Sequence, residues 1–238
     1  MVSYIDPLLS YLPFTICYHT AFRDAATGES TYYRRMNPMP YDELSRNFHA
    51  QRAKWESSEG RKQFAKIVAP TKAIPVRKVV AFACGPLFFE EFATRSALQH
   101  ALILTLRDIF GQHVKCFAQD PYYFPDDKKI LENEGVQVAD DPQGFLELDD
   151  DSAVISCAPD IPVSSIVCEI ARPALMIMFD KDKCVNDWEW PSAGPRYTDP
   201  TTPRVRDFLV NHYIKIPFPH TEDGYPGDTL AMYIRKSE

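Results

Sequence analysis

The middle of the chain alternates short apolar runs with segments of helical periodicity. Between the first two runs, apolar side chains recur every three or four positions over residues 93–110, which predicts an amphipathic helix. Strands that alternate with helices are typical of a parallel sheet. The runs predicted as core strands cover residues 78–83, 113–118, 136–138, 152–157 and 174–179.

Right-handed crossovers predict the order of these strands as third, second, first, fourth, fifth. Two further helices are expected at 126–134, with Asp126 as the N-cap, and at 162–170. A short helix at 205–210 then leads to strands at 212–218 and 229–234, which we expect to join the sheet beside the fifth strand. The predicted class is α/β: a Rossmann-like three-layer sandwich, mainly parallel, with a C-terminal hairpin, as in methyltransferase-type topology.

The remaining chain divides into an N-terminal region and a long polar connection. Residues 1–75 are expected to form a helical and irregular appendage, with a helix over 43–68 that Gly60 interrupts, and 76–238 to form the Rossmann-like domain. Residues 180–203 are polar and rich in Trp and Pro. Long connections of this kind in compact domains are usually functional, so a lid or binding loop is expected there.

Charge and cysteine content narrow the classes of function. The formal net charge of -7 argues against a broad basic surface for nucleic acid. No apolar run reaches the roughly 20 residues of a membrane span, and the first residues lack the pattern of a secretory signal. The six cysteines form no C-x-x-C pair, which favours reduced thiols in the cytoplasm or nucleus and no metal site.

Ligands of open α/β sheets bind beyond the carboxyl ends of the strands, and that rule selects the candidate site. Gly85 would let the backbone approach a ligand closely, and Asp120 follows the second strand, where a ribose diol would be held. The alternative is that Gly85 only makes a turn and Asp120 caps the next one. The candidate ligand-binding residues are Cys84, Gly85, Pro86, Gln99, Asp120, Cys157, Pro159, Asp160 and Asp180.

The same turn limits which ligand is expected. A dinucleotide fingerprint needs three glycines, and only Gly85 is present, followed by Pro86, which has no amide to offer a phosphate. The acidic pair Glu90 and Glu91 would repel a pyrophosphate. An adenosine group without phosphate, as in S-adenosylmethionine, is less strongly excluded. We find no G-x-S-x-G elbow and no metal-binding histidine spacing, so no catalytic residue is assigned.

Several short motifs resemble, in their order along the chain, those of the "sensitivity to red light reduced" domain family in a fungal-type form. Its strand, glycine turn and Q-x-A-L-type helix match Ala83-Cys84-Gly85-Pro86 and Gln99-His100-Ala101-Leu102. Its D-P segment matches Gln119-Asp120-Pro121 with Asp127, Leu131 and Gly135. Its proline turn after the fourth strand matches Cys157-Ala158-Pro159, and the fungal-type D-P-x-x-P-R-V element matches residues 199–205. The resemblance covers roughly residues 75–215.

The resemblance implies a regulator rather than a known enzyme. Members are implicated in circadian and light responses in plants and in haem metabolism or cytoskeletal stability elsewhere. Asp160 stands where the commoner pattern has a histidine. The first hypothesis is therefore a regulatory or interaction protein whose partner, protein or small molecule, is unknown. The second is an enzyme or sensor that binds an adenosine-type ligand at the strand ends, and the third is haem or metal sensing through Cys84 and Cys157.

Overall fold

A computed structural model of the protein describes residues 22–23, 30–31, 39–88, 90–157, 159–183, 198–219 and 229–237. In these ranges two short strands, β1 and β2, pair with each other, and seven longer ones form a single sheet. No helix in the described ranges combines the length and apolarity that crossing a membrane requires. The strands are β1 (Phe22–Arg23), β2 (Ser30–Thr31), β3 (Lys78–Phe82), β4 (Lys115–Gln119), β5 (Val136–Val138), β6 (Ser152–Ser156), β7 (Leu175–Phe179), β8 (Tyr213–Pro217) and β9 (Leu230–Arg235).

The sheet has the order β5-β4-β3-β6-β7-β9-β8. The first five of these strands are parallel, whereas β9 runs antiparallel to both β7 and β8. This arrangement confirms the predicted order, the Rossmann-like class and the position of the C-terminal hairpin. The carboxyl ends of β3, β4 and β6 consequently lie side by side at one edge of the sheet.

Helices cover both faces of the sheet. One layer contains α1 (Tyr41–Ser57), α2 (Glu59–Val68), α3 (Glu90–Phe110) and α4 (Pro125–Asn133), and a 3-10 turn (Ala69–Ala73) follows α2. The other contains α5 (Gln143–Leu146), α6 (Val163–Ile170) and α7 (Pro203–His212). Within β3, Val79 packs in the first layer and Val80 in the second, which explains why the strand is apolar from Val79 to Phe82.

The N-terminal helices pack against the first layer of the sandwich. The indole nitrogen of Trp55 donates a 2.9 Å hydrogen bond to the hydroxyl of Thr105 on α3, and its ring stacks on Phe218 beyond β8. The break between α1 and α2 falls at Ser58, not at Gly60 as predicted. Ser58 has extended backbone angles, and its hydroxyl accepts the amide hydrogen of Arg61, so it acts as the N-cap of α2.

The start of α4 also differs from the prediction. Its N-cap is Phe124, and Pro125 is the first helical residue, so Asp126 lies inside the first turn and does not cap the helix. Asp127 supplies the acceptor instead, because its carboxylate receives the amide hydrogen of Phe124 at 2.9 Å. At the other end Gly135, with a φ of 75°, takes the left-handed conformation expected after a helix.

Candidate functional site

Asp120 joins the turn after β3 to the turn after β4. Its carboxylate oxygen Oδ2 accepts the amide hydrogen of Gly85 at 2.8 Å, and Oδ1 accepts that of Tyr122 at 2.9 Å. The chain reaches this geometry through two residues with positive φ, Ala83 at 54° and Gly85 at 73°. The structure therefore brings Gly85 and Asp120 into direct contact at one end of the sheet.

Asp127 makes a second connection of the same kind. Its Oδ1 accepts the amide hydrogen of Leu87 at 3.2 Å, and its Oδ2 accepts that of Phe124. Each aspartate thus receives one amide from the turn after β3 and one from the turn before α4. We call these two interactions the carboxylate clasps. Asp127 was not among the predicted site residues, although an acidic residue three positions after an N-cap is a known helix-start signal.

Burial makes both clasps sensitive to protonation. Desolvation raises the pKa of Asp120 and the negative charge of Asp160 raises it further, against the lowering effect of the two amides. The same balance raises the pKa of Asp127 to about 6, with burial the largest cause and Asp126 and Asp120 adding repulsion. Both carboxylates are almost fully buried, so their hydrogen bonds replace lost hydration.

A buried histidine and tyrosine lie behind the clasps. Burial lowers the pKa of His100 to about 4, so the ring is neutral at physiological pH. The consistent tautomer has Nδ1 donating to the carbonyl of Ser96 at 2.6 Å and Nε2 accepting from the Tyr123 hydroxyl at 2.7 Å. With every polar ring atom engaged, the pair stabilises the core and has no proton to exchange near neutrality.

Two thiols also converge here. Cys84 and Cys157 follow β3 and β6, and both are about 1% exposed within the same hydrophobic cluster. Desolvation, followed by the nearby Cys157 and Asp120, raises the pKa of Cys84, and burial raises that of Cys157 to about 12. Both are therefore neutral thiols. The described residues contain no group of three or more His, Cys, Asp or Glu side chains able to hold a metal ion.

A cavity of about 70 Å³ opens beside the first clasp, beyond the ends of β4 and β5. Of the predicted site residues, Asp120 lines it. Its other walls come from the two strand ends, from α4 and from the β5–α5 connection. The lining residues are Gln119, Asp120, Pro121, Tyr123, Lys128, Val138, Ala139, Asp140 and Asp141.

The remaining predicted residues do not line this cavity, and Asp160 is exposed in the segment between β6 and α6. Pro86 is buried in the turn after β3, and Gln99 is buried in α3. Pro159 is buried beyond β6, and its carbonyl accepts a hydrogen bond from Thr198. Asp180 follows β7, two strands away from β3, and binds Lys215 of β8. The part that these residues would take in binding a ligand stays a prediction.

Sequence reasoning also missed a buried ion pair beyond β7. The ammonium of Lys181 lies 2.7 Å from Oδ2 of Asp199, and Lys181 is about 2% exposed. Oδ1 of Asp199 accepts the amide hydrogen of Ser164 at 3.0 Å, so the pair also holds the first turn of α6. In the sequence Asp199 is the first residue of the D-P-x-x-P-R-V element, which gives no indication of its buried partner.

The chain resembles several solved structures at a distance, and some of them are named as methyltransferases. A putative O-methyltransferase from Klebsiella pneumoniae is 13% identical, with 85% of this chain and 93% of that chain covered and a TM-score of 0.45. Cofactor-bound Rv0187 from MTB is 14% identical, with 82% and 90% covered and a TM-score of 0.44. The N-methyltransferase NodS from Bradyrhizobium japonicum is 9% identical, with 76% and 99% covered and a TM-score of 0.37. No activity or ligand follows from likenesses this distant.

No curated protein matches the chain significantly. A family model does match it: the SRR1 domain aligns with residues 50–190, which is more than half of the sequence. The matched segment extends from α1 past the end of β7, so it includes both carboxylate clasps, the two strand-end thiols and the cavity. The order of strands, the strand-end turns and this match together establish that the chain belongs to the SRR1 domain family.

Proposed function

We propose that this protein is a regulatory, protein-interacting member of the SRR1 domain family on a Rossmann-like scaffold. The observation that supports this most strongly is the engagement of Asp120. In a nucleoside-binding site, an acidic residue at this position has to offer its carboxylate to a ribose diol. Here each oxygen already accepts a backbone amide, from Gly85 and from Tyr122, and the carboxylate is about 8% exposed.

The size of the cavity supports the same proposal. Pockets for small molecules and cofactors usually have volumes of about 300–1,000 Å³. The cavity beside Asp120, at about 70 Å³, is several times smaller. An adenosine-type ligand would therefore need the walls of this cavity to move apart, and a ribose bound by Asp120 would have to displace the backbone amides that its carboxylate holds.

The outer part of the sheet provides surface for a protein partner. Among the described strands, β8 has a neighbour on one side only, because β9 is its sole partner in the sheet. Ile214 on β8 and Val210 at the end of α7 expose more than half of their surface. Unpaired strand edges with apolar side chains are surfaces on which other chains pair. We therefore place the partner contact at this edge as part of the proposal.

The position of the cavity favours a second candidate function, the binding of an adenosine-type ligand. The cavity lies at the carboxyl ends of two parallel strands, where ligands of this fold class bind. Val138 and Ala139 offer an apolar wall for a base, and Asp120 and Asp140 offer acceptors for hydroxyl groups. Under this candidate, ligand binding would open the Asp120 clasp, and the protein would be a sensor or an enzyme.

A thermal-shift panel separates the two candidates. The full chain is heated with S-adenosylmethionine, S-adenosylhomocysteine, ATP and haem, each at millimolar or saturating concentration. A ligand present at a hundred times its Kd stabilises the folded state by about 2.7 kcal/mol, which raises the Tm of a chain of this size by about 5 °C or more. The regulatory proposal predicts no shift. A saturable shift with either adenosyl compound, lost in Asp120→Asn, would establish the second candidate instead.

A capture experiment tests the partner contact. The proteins retained by the immobilised full chain are compared with those retained by two variants. The double variant Val210→Asp/Ile214→Asp changes two exposed side chains at the proposed contact, and Leu146→Asp changes an exposed side chain on α5. The proposal predicts a protein retained by the wild type and by the α5 variant and lost with the double variant. Equal retention by all three would remove the β8 edge as the contact surface.

A further inference from the structure

The two strand-end thiols have no part in the proposed function, and their placement is specific. In the parallel pair β3–β6, Phe82 lies opposite Ser156. Cys157 is the next residue after Ser156, and Cys84 is the second residue after Phe82. Ala83, between Phe82 and Cys84, has a φ of 54°, so the chain leaves the strand there and Cys84 lies in the same layer as Cys157. Neighbouring strands lie about 4.8 Å apart, which places the two cysteines at adjacent strand ends; a disulfide between them needs a Cα separation of about 4.4–6.8 Å.

The two side chains also lie on the same side of the sheet. Both cysteines belong to the hydrophobic cluster of the first layer, not to the one on the opposite face of the sheet. Cys116 belongs to that cluster too, but it is the second residue of β4 and lies near the amino end of its strand. The register pairs it with Val79, several residues before Cys84. Cys84 and Cys157 are therefore the pair that the topology brings together among these three thiols.

We propose that Cys84 and Cys157 form a reversible disulfide when the protein meets a disulfide oxidant such as oxidised glutathione, and that this bond locks the turn after β3 to the turn after β6. The first cysteine attacks a glutathione sulfur as the thiolate, and one reduced glutathione leaves with the proton. The second cysteine then attacks the protein sulfur of the mixed disulfide, and a second reduced glutathione leaves. Two electrons pass from the protein to the oxidant, and a thiol reductant reverses both steps.

Burial determines how fast this exchange runs. Thiolates are the attacking species, and the pKa of Cys157 is raised to about 12, so few thiolates exist at neutral pH. The turn also has to open before glutathione reaches either sulfur. Half-buried Cys168 on α6 should therefore react with the oxidant before the buried Cys84 and Cys157, whose bond should form more slowly.

The disulfide would restrain the turn that carries the Gly85–Asp120 clasp. Cys84 directly precedes Gly85, whose amide binds Asp120. A cross-link at Cys84 restrains the same turn and closes a long loop of chain, which removes entropy from the unfolded state. Oxidation is therefore expected to raise the Tm and to hold the strand-end cavity in its closed form. This inference does not depend on which ligand or partner the protein binds.

The test uses the full chain with Cys17, Cys168 and Cys184 replaced by Ser, which leaves the two strand-end thiols and Cys116. After incubation with oxidised glutathione, free thiols are alkylated in denaturant and peptides are mapped by mass spectrometry. We expect a linked Cys84–Cys157 peptide, fully alkylated Cys116, and a rise in Tm that a thiol reductant abolishes. Cys84→Ser in the same background should remove both the link and the rise.

Three results would overturn the proposal. The first is a native protein in which both thiols stay alkylatable after prolonged oxidation. The second is glutathione on single cysteines with no linked peptide. If the triple replacement does not fold, the wild-type chain is mapped in the same way with an added cleavage at Asp160, which separates the peptide of Cys157 from that of Cys168. A Cys84–Cys157 link equal in yield to links with Cys116 would also contradict it, since such scrambling comes from unfolded chains.

Discussion

Gly85 and Asp120 are 35 residues apart in sequence and meet through a 2.8 Å hydrogen bond from backbone amide to carboxylate. This contact converts the position where a Rossmann-like protein commonly holds a ribose into an internal connection between two turns. Asp127 repeats the arrangement with Leu87 and Phe124. The two aspartates thus connect the turn after β3 to the turn after β4, at the end of the sheet where this fold class binds its ligands.

We expect Asp120→Asn to destabilise the fold by about 1–3 kcal/mol. An asparagine oxygen accepts one of the two amides, while its NH₂ group faces the other and leaves that buried donor without a partner. Urea denaturation at pH 7 measures the change in the free energy of unfolding. Asp126→Asn is the matched control: it removes the same charge from a less buried position and should cost less than about 1 kcal/mol. Equal losses in the two variants would contradict the clasp.

Ala83 and Gly85 should respond to substitution in opposite directions. Gly85→Ala places a methyl group 2.8 Å from the Ser96 hydroxyl and forces an alanine to keep a φ of 73°, so we expect a loss of about 1–3 kcal/mol. Ala83→Gly relieves an alanine that already has a φ of 54° and should be neutral or stabilising by up to about 1 kcal/mol. Both are measured by urea denaturation. A destabilising Ala83→Gly would show that the turn is not strained at that residue.

The sequence predicts the fold better than it predicts the site. Short apolar runs and helical periodicity locate the strands from β3 to β9, and right-handed crossovers order them, because both rules depend on local stereochemistry. The same rules place Gly85 and Asp120 at one edge. They do not predict that Asp120 binds the Gly85 amide, since that depends on the positive φ of Ala83, which no pattern of apolar residues encodes.

Long-range polar contacts are a second feature that the pattern of apolar and polar residues does not predict. Lys181 follows an apolar strand and reads as an exposed residue, because lysine is rarely buried without a partner. Its partner, Asp199, lies 18 residues further along the chain. Likewise an amphipathic helix such as α1 reveals that one face is buried, but not that Trp55 meets Thr105 and Phe218. Such contacts are set by tertiary structure.

Lys181→Met should be among the most damaging single changes in the described chain. It leaves the carboxylate of Asp199 buried with no cation beside it, and breaking a buried pair in this way typically costs about 3–5 kcal/mol. The double variant Lys181→Met/Asp199→Asn should recover part of that loss, because it removes the uncompensated charge. Arg204→Met breaks an ion pair with Glu169 that is about half exposed and should cost less than about 1 kcal/mol. Additive losses in the double variant would rule out the coupling.

The pH dependence of stability should reveal the raised pKa of Asp127. Its folded-state pKa of about 6 lies above the value near 3.9 of an unfolded aspartate, so the folded state takes up the proton first as pH falls. This group therefore contributes stability that is fully present below about pH 4 and is lost as pH rises through about 6. As pH falls from 7 to 4.5, the free energy of unfolding of the wild type should rise by on the order of 2 kcal/mol relative to that of Asp127→Asn. A difference that is constant with pH, or that moves the other way, would contradict the raised pKa.

The most direct test of the closed strand-end edge is a calorimetric titration of the full chain with S-adenosylmethionine at pH 7, repeated with Asp120→Asn. Because both Asp120 oxygens hold backbone amides and the adjoining cavity measures about 70 Å³, we predict no saturable heat at millimolar ligand in either protein. Saturable binding to the wild type, weakened about ten- to a hundredfold by Asp120→Asn, would show that Asp120 grips a ribose and would contradict the account.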